Sequence, residues 1–143
     1  MDLNEHIGIL IRNVDYALAN FVKNQLEPFN LAPEQNLLMM LLWKQEGICP
    51  NEFAKQLNKD KASIARMISS LESKGFIRRV DNPNDRRTFK VFLTDEGRSL
   101  REFVIPVLQS THMTATASLS NGEQNELKRL LSKVVENIQP AGK

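Results

Sequence analysis

The chain has few of the residues that stabilise secreted proteins or insert into membranes. Its single cysteine excludes an internal disulfide framework and suits a reducing cytoplasm. No stretch reaches the roughly 18 consecutive apolar residues of a transmembrane helix, so we predict no membrane partner. Residues 1–5 lack the basic and apolar regions of a secretory signal. We therefore expect a cytoplasmic protein.

Sequence signatures of catalysis and of metal binding are also missing. There is no glycine-rich phosphate loop, no nucleophile elbow and no histidine-rich metal motif. His6 and His112 are the only histidines, and neither lies among cysteine or acidic residues at ligand spacing. We expect a protein that is not an enzyme, with no catalytic residues, no metal and no cofactor.

Basic charge is concentrated in one part of the chain. The net charge is only +2, which is too small to indicate nucleic-acid binding by itself. Residues 50–98, however, hold 11 Lys/Arg against 7 Asp/Glu, whereas the remainder holds 8 against 10. This asymmetry fits an electrostatic footprint on DNA, although charged surface helices also scatter in this way.

Helical periodicity begins near the N-terminus. Apolar residues recur at helical spacing over residues 3–26, and Pro28 disfavours a longer helix. A second helix is predicted to open at Pro33 and to end near Gly47. Because this second helix is apolar on most sides, we expect it to be buried.

Two further helices are predicted in the last third of the chain. Thr94 is a good cap for a helix over about residues 95–117, which Pro106 should kink. Ser120 and Glu123 form a capping box that opens a final helix with one apolar face. The sequence shows no internal repeat.

The most informative segment combines a helix-turn-helix pattern with a basic hairpin. Short helices are predicted over residues 50–57 and 61–74, and Gly75 ends the second. Strands over 76–80 and 88–93 then flank a polar tip, and this hairpin carries four arginines. A short helix beside such a hairpin suits the reading of duplex DNA. We therefore predict a DNA-binding regulator.

Four stretches carry a resemblance to a known family. They are Asp60-Lys-Ala-Ser-Ile-Ala-Arg66, Leu71-Glu-Ser-Lys-Gly-Phe-Ile77, Asp85-Arg-Arg87 and Val91-Phe-Leu-Thr-Asp-Glu-Gly97. With the order of elements, they resemble the MarR family of winged-helix transcription regulators over essentially the whole chain. The resemblance implies a triangular homodimer that binds near-palindromic promoter DNA, which we expect to repress transcription. In many members a small phenolic or lipophilic molecule, a metal or an oxidant releases the DNA.

The expected fold is mainly α-helical with a small β-hairpin wing. The order is helix, helix, short strand, two helices, two strands and two helices. We divide the chain into an N-terminal dimerisation helix (1–30), a winged helix-turn-helix lobe that binds DNA (31–98) and C-terminal dimerisation helices (99–143). The outer helices carry more apolar surface than one small domain covers, which favours a homodimer. The alternative is that they fold back on their own domain.

The second helix of the helix-turn-helix is the predicted recognition helix. Ile64, Met67, Ile68 and Leu71 fall on its buried face. Arg66 suits a guanine edge, Ser63 a base or a phosphate, and the Ala62 methyl group a thymine, with Lys61 on the backbone. The residues predicted to face solvent or DNA are Lys61, Ala62, Ser63, Ala65, Arg66 and Ser69. Outside this motif, Arg66 would be interpreted as an ordinary surface charge.

The hairpin supplies the second set of predicted DNA contacts. Asp85 and Arg87 are two apart on a strand and point to the same side, so the carboxylate can orient the arginine for a minor groove. The family pattern likewise assigns this pair to the wing tip, with Arg87 in the minor groove. We place Arg86 and Lys90 on phosphates and the pair 78–79 nearby. The alternative is an exposed ion pair without a function.

Cys49 is a departure from the family pattern, in which a threonine or serine commonly caps this helix. A thiol at a helix N-terminus favours the thiolate in principle, which supports a redox-responsive regulator. Against this, free cysteine usually packs as a small hydrophobe, and Glu52 opposes a thiolate. A redox-responsive regulator that uses Cys49 is therefore kept as an alternative function.

An effector pocket is the least constrained prediction. Tyr16, Met39, Trp43 and Phe103 could line an apolar cavity for a small apolar or phenolic effector, although such a helical face is more often plain core. Another alternative is a winged-helix module that binds proteins and not specific DNA, but such modules tend to lose the basic residues present here.

Overall fold

The computed structural model describes residues 2–139, with the backbone but not the side chain of Arg86. The order of elements confirms a mainly helical winged-helix fold with a two-stranded antiparallel wing. The helices and strands are α1 (Ile7–Leu26), α2 (Pro33–Lys44), α3 (Pro50–Leu57), α4 (Lys61–Ser73), β1 (Ile77–Asn82), β2 (Asp85–Leu93), α5 (Asp95–Ala115) and α6 (Asn121–Ile138).

The structure differs from the sequence prediction in several places, including the hairpin, whose strands end at Asn82 and begin at Asp85 within the predicted polar tip. The N-terminal helix begins at Ile7 and not at residue 3, because Leu3–Glu5 form a 3-10 turn and His6 is extended. Helix α2 ends at Lys44, before Gly47. The predicted short strand is only a single bridge between Ile48 and Val91, so the sheet has two strands in the described residues.

Local signals explain the helix-turn-helix. Pro50 occupies the first turn of α3, where its missing N–H leaves no intrahelical bond unmade. Asn58 ends α3 in the left-handed conformation, with φ of 54°. Asp60 then caps α4. Gly75 follows α4 with φ of 84°, a conformation that side chains disfavour, and so turns the chain into β1.

The core joins α2, α3 and α4 to the base of the hairpin. Phe53, Leu71 and Val91 are among its fully buried side chains. Helix α2 is less buried than predicted, since Leu37 and Met40 are 43% and 42% exposed. That expectation was wrong for one face of α2, because the core covers only the side that carries Leu38, Met39 and Leu42.

The chain forms two compact units, one up to Gln109 and the other from Ser110 onward. In the second unit Ser120 caps α6, and Glu123 completes the predicted capping box. Helix α6 leaves a stripe of apolar side chains exposed, namely Leu127, Leu130, Leu131, Val135 and Ile138. Among residues 2–139, no helix combines the length and the apolarity that crossing a membrane requires.

Candidate nucleic-acid interface

Helix α4 separates a buried face from an exposed one, as predicted. Ile64, Met67, Ile68 and Leu71 are buried in the core. On the other side, Ser63 is half-buried and the remaining candidates are exposed: Lys61, Ala62, Ala65, Arg66 and Ser69. The structure therefore gathers the six candidates of the recognition helix on one accessible surface.

Asp60 fixes the first turn of this helix. Its Oδ1 accepts a hydrogen bond of 2.6 Å from the backbone N–H of Ser63. This bond, together with one from the Ser63 hydroxyl, lowers the pKa of the Asp60 carboxyl. The Ser63 hydroxyl also accepts a 3.1 Å bond from Nη2 of Arg66, so the polar groups at this end of α4 restrain one another.

The wing is an antiparallel hairpin whose tip carries a turn. Arg79 lies opposite Val91 and Val80 lies opposite Lys90, and the register shifts between Asp81 and Asn82. The Asn82 side chain accepts a 2.9 Å bond from the Asn84 backbone N–H, which stabilises the turn. Lys90 is exposed on β2.

Asp85 and Arg87 form the contact that their spacing predicts. The Asp85 Oδ1 accepts bonds from the Arg87 backbone N–H at 3.0 Å and from the Arg87 Nε at 3.3 Å. The Arg87 side chain is nevertheless 91% exposed. The carboxylate therefore orients an arginine that still projects into solvent. Arg86, predicted on a phosphate, has a side chain outside the described residues.

Arg79 joins the wing to α4, a link that the sequence did not reveal. Its Nε donates to Oε1 of Glu72 at 3.1 Å, and its Nη2 donates to Oγ of Ser69 at 3.1 Å. The guanidinium also lies 4.7 Å from the centroid of the Phe89 ring on β2. Neighbouring Arg78 instead lies over Phe92, at 5.2 Å from the ring centroid. Spacing within one element cannot predict contacts between residues of different elements.

The base of the wing is held by a second group of contacts. The Thr94 hydroxyl donates to the Gly75 carbonyl at 2.5 Å and accepts from the Gly97 backbone N–H at 3.1 Å. Glu46 accepts from the Leu93 backbone N–H at 2.8 Å and from Nη2 of Arg98 at 3.1 Å. Burial raises the pKa of Glu46, but these hydrogen bonds and the Arg98 charge outweigh burial, so its pKa lies below the ordinary value.

Cys49 lies at the N-terminus of α3, where the sequence places it. Its thiol donates to Oε1 of Glu52 at 3.2 Å. It borders a groove of about 340 Å³ between the start of α3 and the wing, which Arg87 and Lys90 also line. The structure thus brings the redox candidate next to two of the DNA-contact candidates.

The four candidate effector residues lie in different surroundings. Met39 is fully buried in the core, and Nε1 of Trp43 donates to the Gly97 carbonyl at 2.8 Å. Tyr16 and Phe103 are 67% and 61% exposed. The effector pocket therefore stays a prediction. No cluster of three or more His, Cys, Asp and Glu that could hold a metal occurs in the described part of the chain.

Comparison with known proteins identifies the family. The model of the MarR family matches residues 31–89. The multiple antibiotic resistance protein MarR of Escherichia coli (strain K12) is 30% identical over 130 residues, which cover 90% of each chain. The chain belongs to the MarR family. A further relative is the HTH-type transcriptional regulator BilQ of Clostridioides difficile, which is 26% identical over 137 residues and matches 96% of this chain and 92% of BilQ.

Solved structures of MarR-family regulators share this fold. The MepR–DNA complex from S. aureus superposes with a TM-score of 0.87 at 25% identity, covering 92% of this chain and 98% of MepR. A mutant MarR from E. coli complexed with operator DNA gives a TM-score of 0.84 at 31% identity, covering 90% and 93%. The similarity therefore extends to structures in which MarR-family proteins hold DNA.

Proposed function

We propose that this chain is a sequence-specific transcriptional regulator that binds pseudo-palindromic promoter DNA as a homodimer. The observation that carries the proposal is the pairing of an accessible α4 surface with an exposed, carboxylate-oriented Arg87 on the adjoining wing. MarR-family proteins with this fold are solved in complex with DNA, in one case operator DNA. A regulator of promoters acts where the DNA is, which places the protein in the cytoplasm.

Helix α4 enters the major groove in this mechanism. Arg66 reaches a guanine edge, and Ser63 and Ala62 contact neighbouring bases. Lys61 lies at the start of the helix, where it pairs with a phosphate. The Ser63–Arg66 hydrogen bond of 3.1 Å holds the guanidinium near the helix before DNA arrives. Such restraint reduces the entropy that the arginine loses on binding.

The wing reads the adjacent minor groove. Arg87 enters a narrow groove, where the negative potential is strongest, and the Asp85 carboxylate keeps its planar fork aligned. Arg86 and Lys90 neutralise phosphates on either side. Recognition then combines base edges in the major groove with the shape of the minor groove, and each lobe reads one half-site.

The homodimer uses apolar side chains that each unit leaves uncovered. In the first unit α1 exposes Ile7, Val14 and Leu18, and in the second unit α6 exposes its apolar stripe. Surfaces of this kind are usually covered by a partner. We assign dimerisation to residues 1–30 and 99–143 and DNA binding to residues 31–98. Two lobes then meet half-sites about one helical turn, roughly 34 Å, apart.

Release of DNA by a small apolar or phenolic effector completes the proposal. A ligand that binds better to one spacing of the two lobes shifts the population toward it, and a spacing that does not match one DNA turn lowers affinity. Tyr16, Met39, Trp43 and Phe103 remain the candidate contacts. Repression is the expected outcome where the operator overlaps a promoter.

Selection of bound duplexes from a random DNA pool tests the function directly. At about 150 mM salt, nonspecific binding is suppressed, and an enriched inverted repeat with half-sites one turn apart is expected. The Arg66→Ala variant should lose this enrichment, whereas Arg129→Ala, on the polar face of α6, should keep it. Recovery of no motif, with weak binding that vanishes as salt rises, would instead favour a protein-interaction module.

A further inference from the structure

Arg79 lies on the face of the hairpin that turns toward the core. On β1 it shares this face with Ile77, and the opposing residues on β2 are Val91 and Leu93. These three apolar neighbours are buried, and the Arg79 side chain beside them is 35% exposed. Arg79 is thus a charged residue at the inner edge of the wing, where the sheet leaves the core.

The hydrogen bonds of Arg79 run to the recognition helix. Ser69 and Glu72 are one turn apart on α4, and the guanidinium bonds both of them at 3.1 Å. The planar guanidinium presents its donors in a fixed fork, which suits two acceptors placed one helical turn apart. The Nε and Nη2 groups of Arg79 are therefore bonded within the protein, whereas the Arg87 side chain, although bonded to Asp85 through Nε, is 91% exposed.

Phe89 extends this link to the other strand. Its ring lies 4.7 Å from the Arg79 guanidinium, a distance typical of a cation–π contact. Phe89 lies two residues from Arg87 on β2, next to the register shift between Asp81 and Asn82. A continuous set of contacts thus runs from α4 through Arg79 and Phe89 toward the strand segment that carries Arg87.

We propose that Arg79 is a positioning residue that fixes the wing relative to α4. The inference rests on the proposed function, in which α4 and Arg87 must reach neighbouring grooves at the same time. A two-stranded hairpin is marginally stable by itself, so its direction depends on contacts with the body of the protein. Arg79 supplies such contacts beyond the buried base, and it acts on DNA through Arg87.

Glu72→Ala is the sharpest test. Anchoring of Arg79 by Glu72 and a purely electrostatic effect of Glu72 predict changes in DNA affinity of opposite sign. Removing a negative charge beside the interface strengthens DNA binding if only electrostatics matters. If Glu72 anchors Arg79, the same change releases the wing and weakens binding, by about tenfold on the scale of coupled contacts. Alanine is a good helix former, so α4 itself is retained. Unchanged or tighter operator binding by this variant would overturn the proposal.

A double-mutant cycle separates positioning from direct contact. Arg79→Gln should weaken operator binding about tenfold but add nothing to the loss caused by Arg87→Ala, because it acts through Arg87. Arg78→Gln is the matched control: it removes the same charge from the adjacent position, on the side that packs on Phe92, and its loss should add to that of Arg87→Ala. Additive losses for Arg79→Gln would contradict the proposal.

Salt dependence and a conservative variant complete the experiment. If Arg79 acts through Arg87, the log–log slope of affinity against salt in the Arg79→Gln, Arg87→Ala double variant equals that of Arg87→Ala alone, whereas loss of a direct phosphate contact by Arg79 lowers it further, by about 0.9 per contact. Arg79→Lys keeps the charge but not the planar fork, so it should bind as weakly as Arg79→Gln; full recovery with lysine would overturn the proposal. Failure of the wild-type protein to bind any operator would instead contradict the proposed function. Circular dichroism melting shows that each variant is folded.

Discussion

The indole Nε1 of Trp43 donates a 2.8 Å hydrogen bond to the backbone carbonyl of Gly97. This bond ties the C-terminal half of α2 to the first turn of α5. Gly97 also lies directly against the backbone of Phe76, in the turn that leads from α4 into the wing. The junction therefore joins the helix-turn-helix, the wing and α5 at one point.

Gly97→Ala should destabilise the protein strongly. A Cβ at this position would overlap the Phe76 carbonyl oxygen, which is backbone and cannot rotate away. The expected loss in the free energy of unfolding is about 3 kcal/mol, the upper range for overpacking. Chemical denaturation measures it. Gly8→Ala is the matched control, since nothing lies within 4 Å of its Cβ, and its stability should stay within about 0.5 kcal/mol or rise slightly.

Arg87→Ala should weaken operator binding without disturbing the dimer. The side chain is 91% exposed and contributes little to the fold. Loss of its minor-groove contact should reduce DNA affinity by about 1–3 kcal/mol. Fluorescence anisotropy with a labelled operator measures the affinity, and light scattering measures the mass. An unchanged affinity would remove the wing from the mechanism.

Local signals in the sequence predicted most elements of this fold. Pro50, Asp60 and Ser120 each act within one turn of their own helix, so a helix start can be deduced from a few neighbouring residues. The same reasoning missed the interruption at His6, because apolar spacing continues through it. It also overestimated the first strand, of which only the Ile48–Val91 bridge forms.

Contacts between elements could not be predicted in this way. Arg79 meets Glu72 and Phe89, and Glu46 meets Arg98, only after the chain has folded. In the sequence the four charged residues among them look like ordinary surface charges, since helix and strand periodicities relate only residues within one element. The Asp85–Arg87 pair was predictable for the opposite reason, because both residues lie on one strand.

The Glu46 carboxylate should make the stability of the protein depend on acid pH. Its pKa lies below the ordinary value of 4.5, so the ionised group stabilises the folded state above that pH. This contribution is lost as the pH falls through the lower folded-state pKa. Wild type should therefore be more stable than Glu46→Gln near neutral pH, with a difference that shrinks below pH 4.5.

Denaturation of both proteins over a pH series measures this difference. The carboxyls of Asp60 and Glu126 also have lowered pKa values, but both proteins retain them, so their effect cancels in the comparison. A difference between the two proteins that stays constant into acid would show that Arg98 and the Leu93 N–H do not favour the charged form of Glu46.

Peroxide should leave operator binding unchanged in both wild type and Cys49→Ser. The Cys49 thiol donates a 3.2 Å hydrogen bond to the Glu52 side chain, and a carboxylate neighbour is not the electropositive setting in which reactive cysteines occur. Operator affinity before and after treatment with peroxide tests this. A loss in wild type that is absent in Cys49→Ser would establish the alternative, a redox-responsive regulator.

Leu131→Glu should shift the protein from dimer toward monomer. Leu131 is 41% exposed within the apolar stripe of α6, and a carboxylate placed in a dimer interface would be buried without a partner. Sedimentation velocity measures the distribution of species over a range of protein concentrations.

Asn125→Glu is the matched control, because it makes the same charge change on the opposite, polar side of α6 and should remain dimeric. Since one lobe alone contacts only one half-site, the Leu131→Glu variant should also bind an operator more weakly than the control does. A Leu131→Glu protein that sediments as wild type would exclude this stripe from the interface.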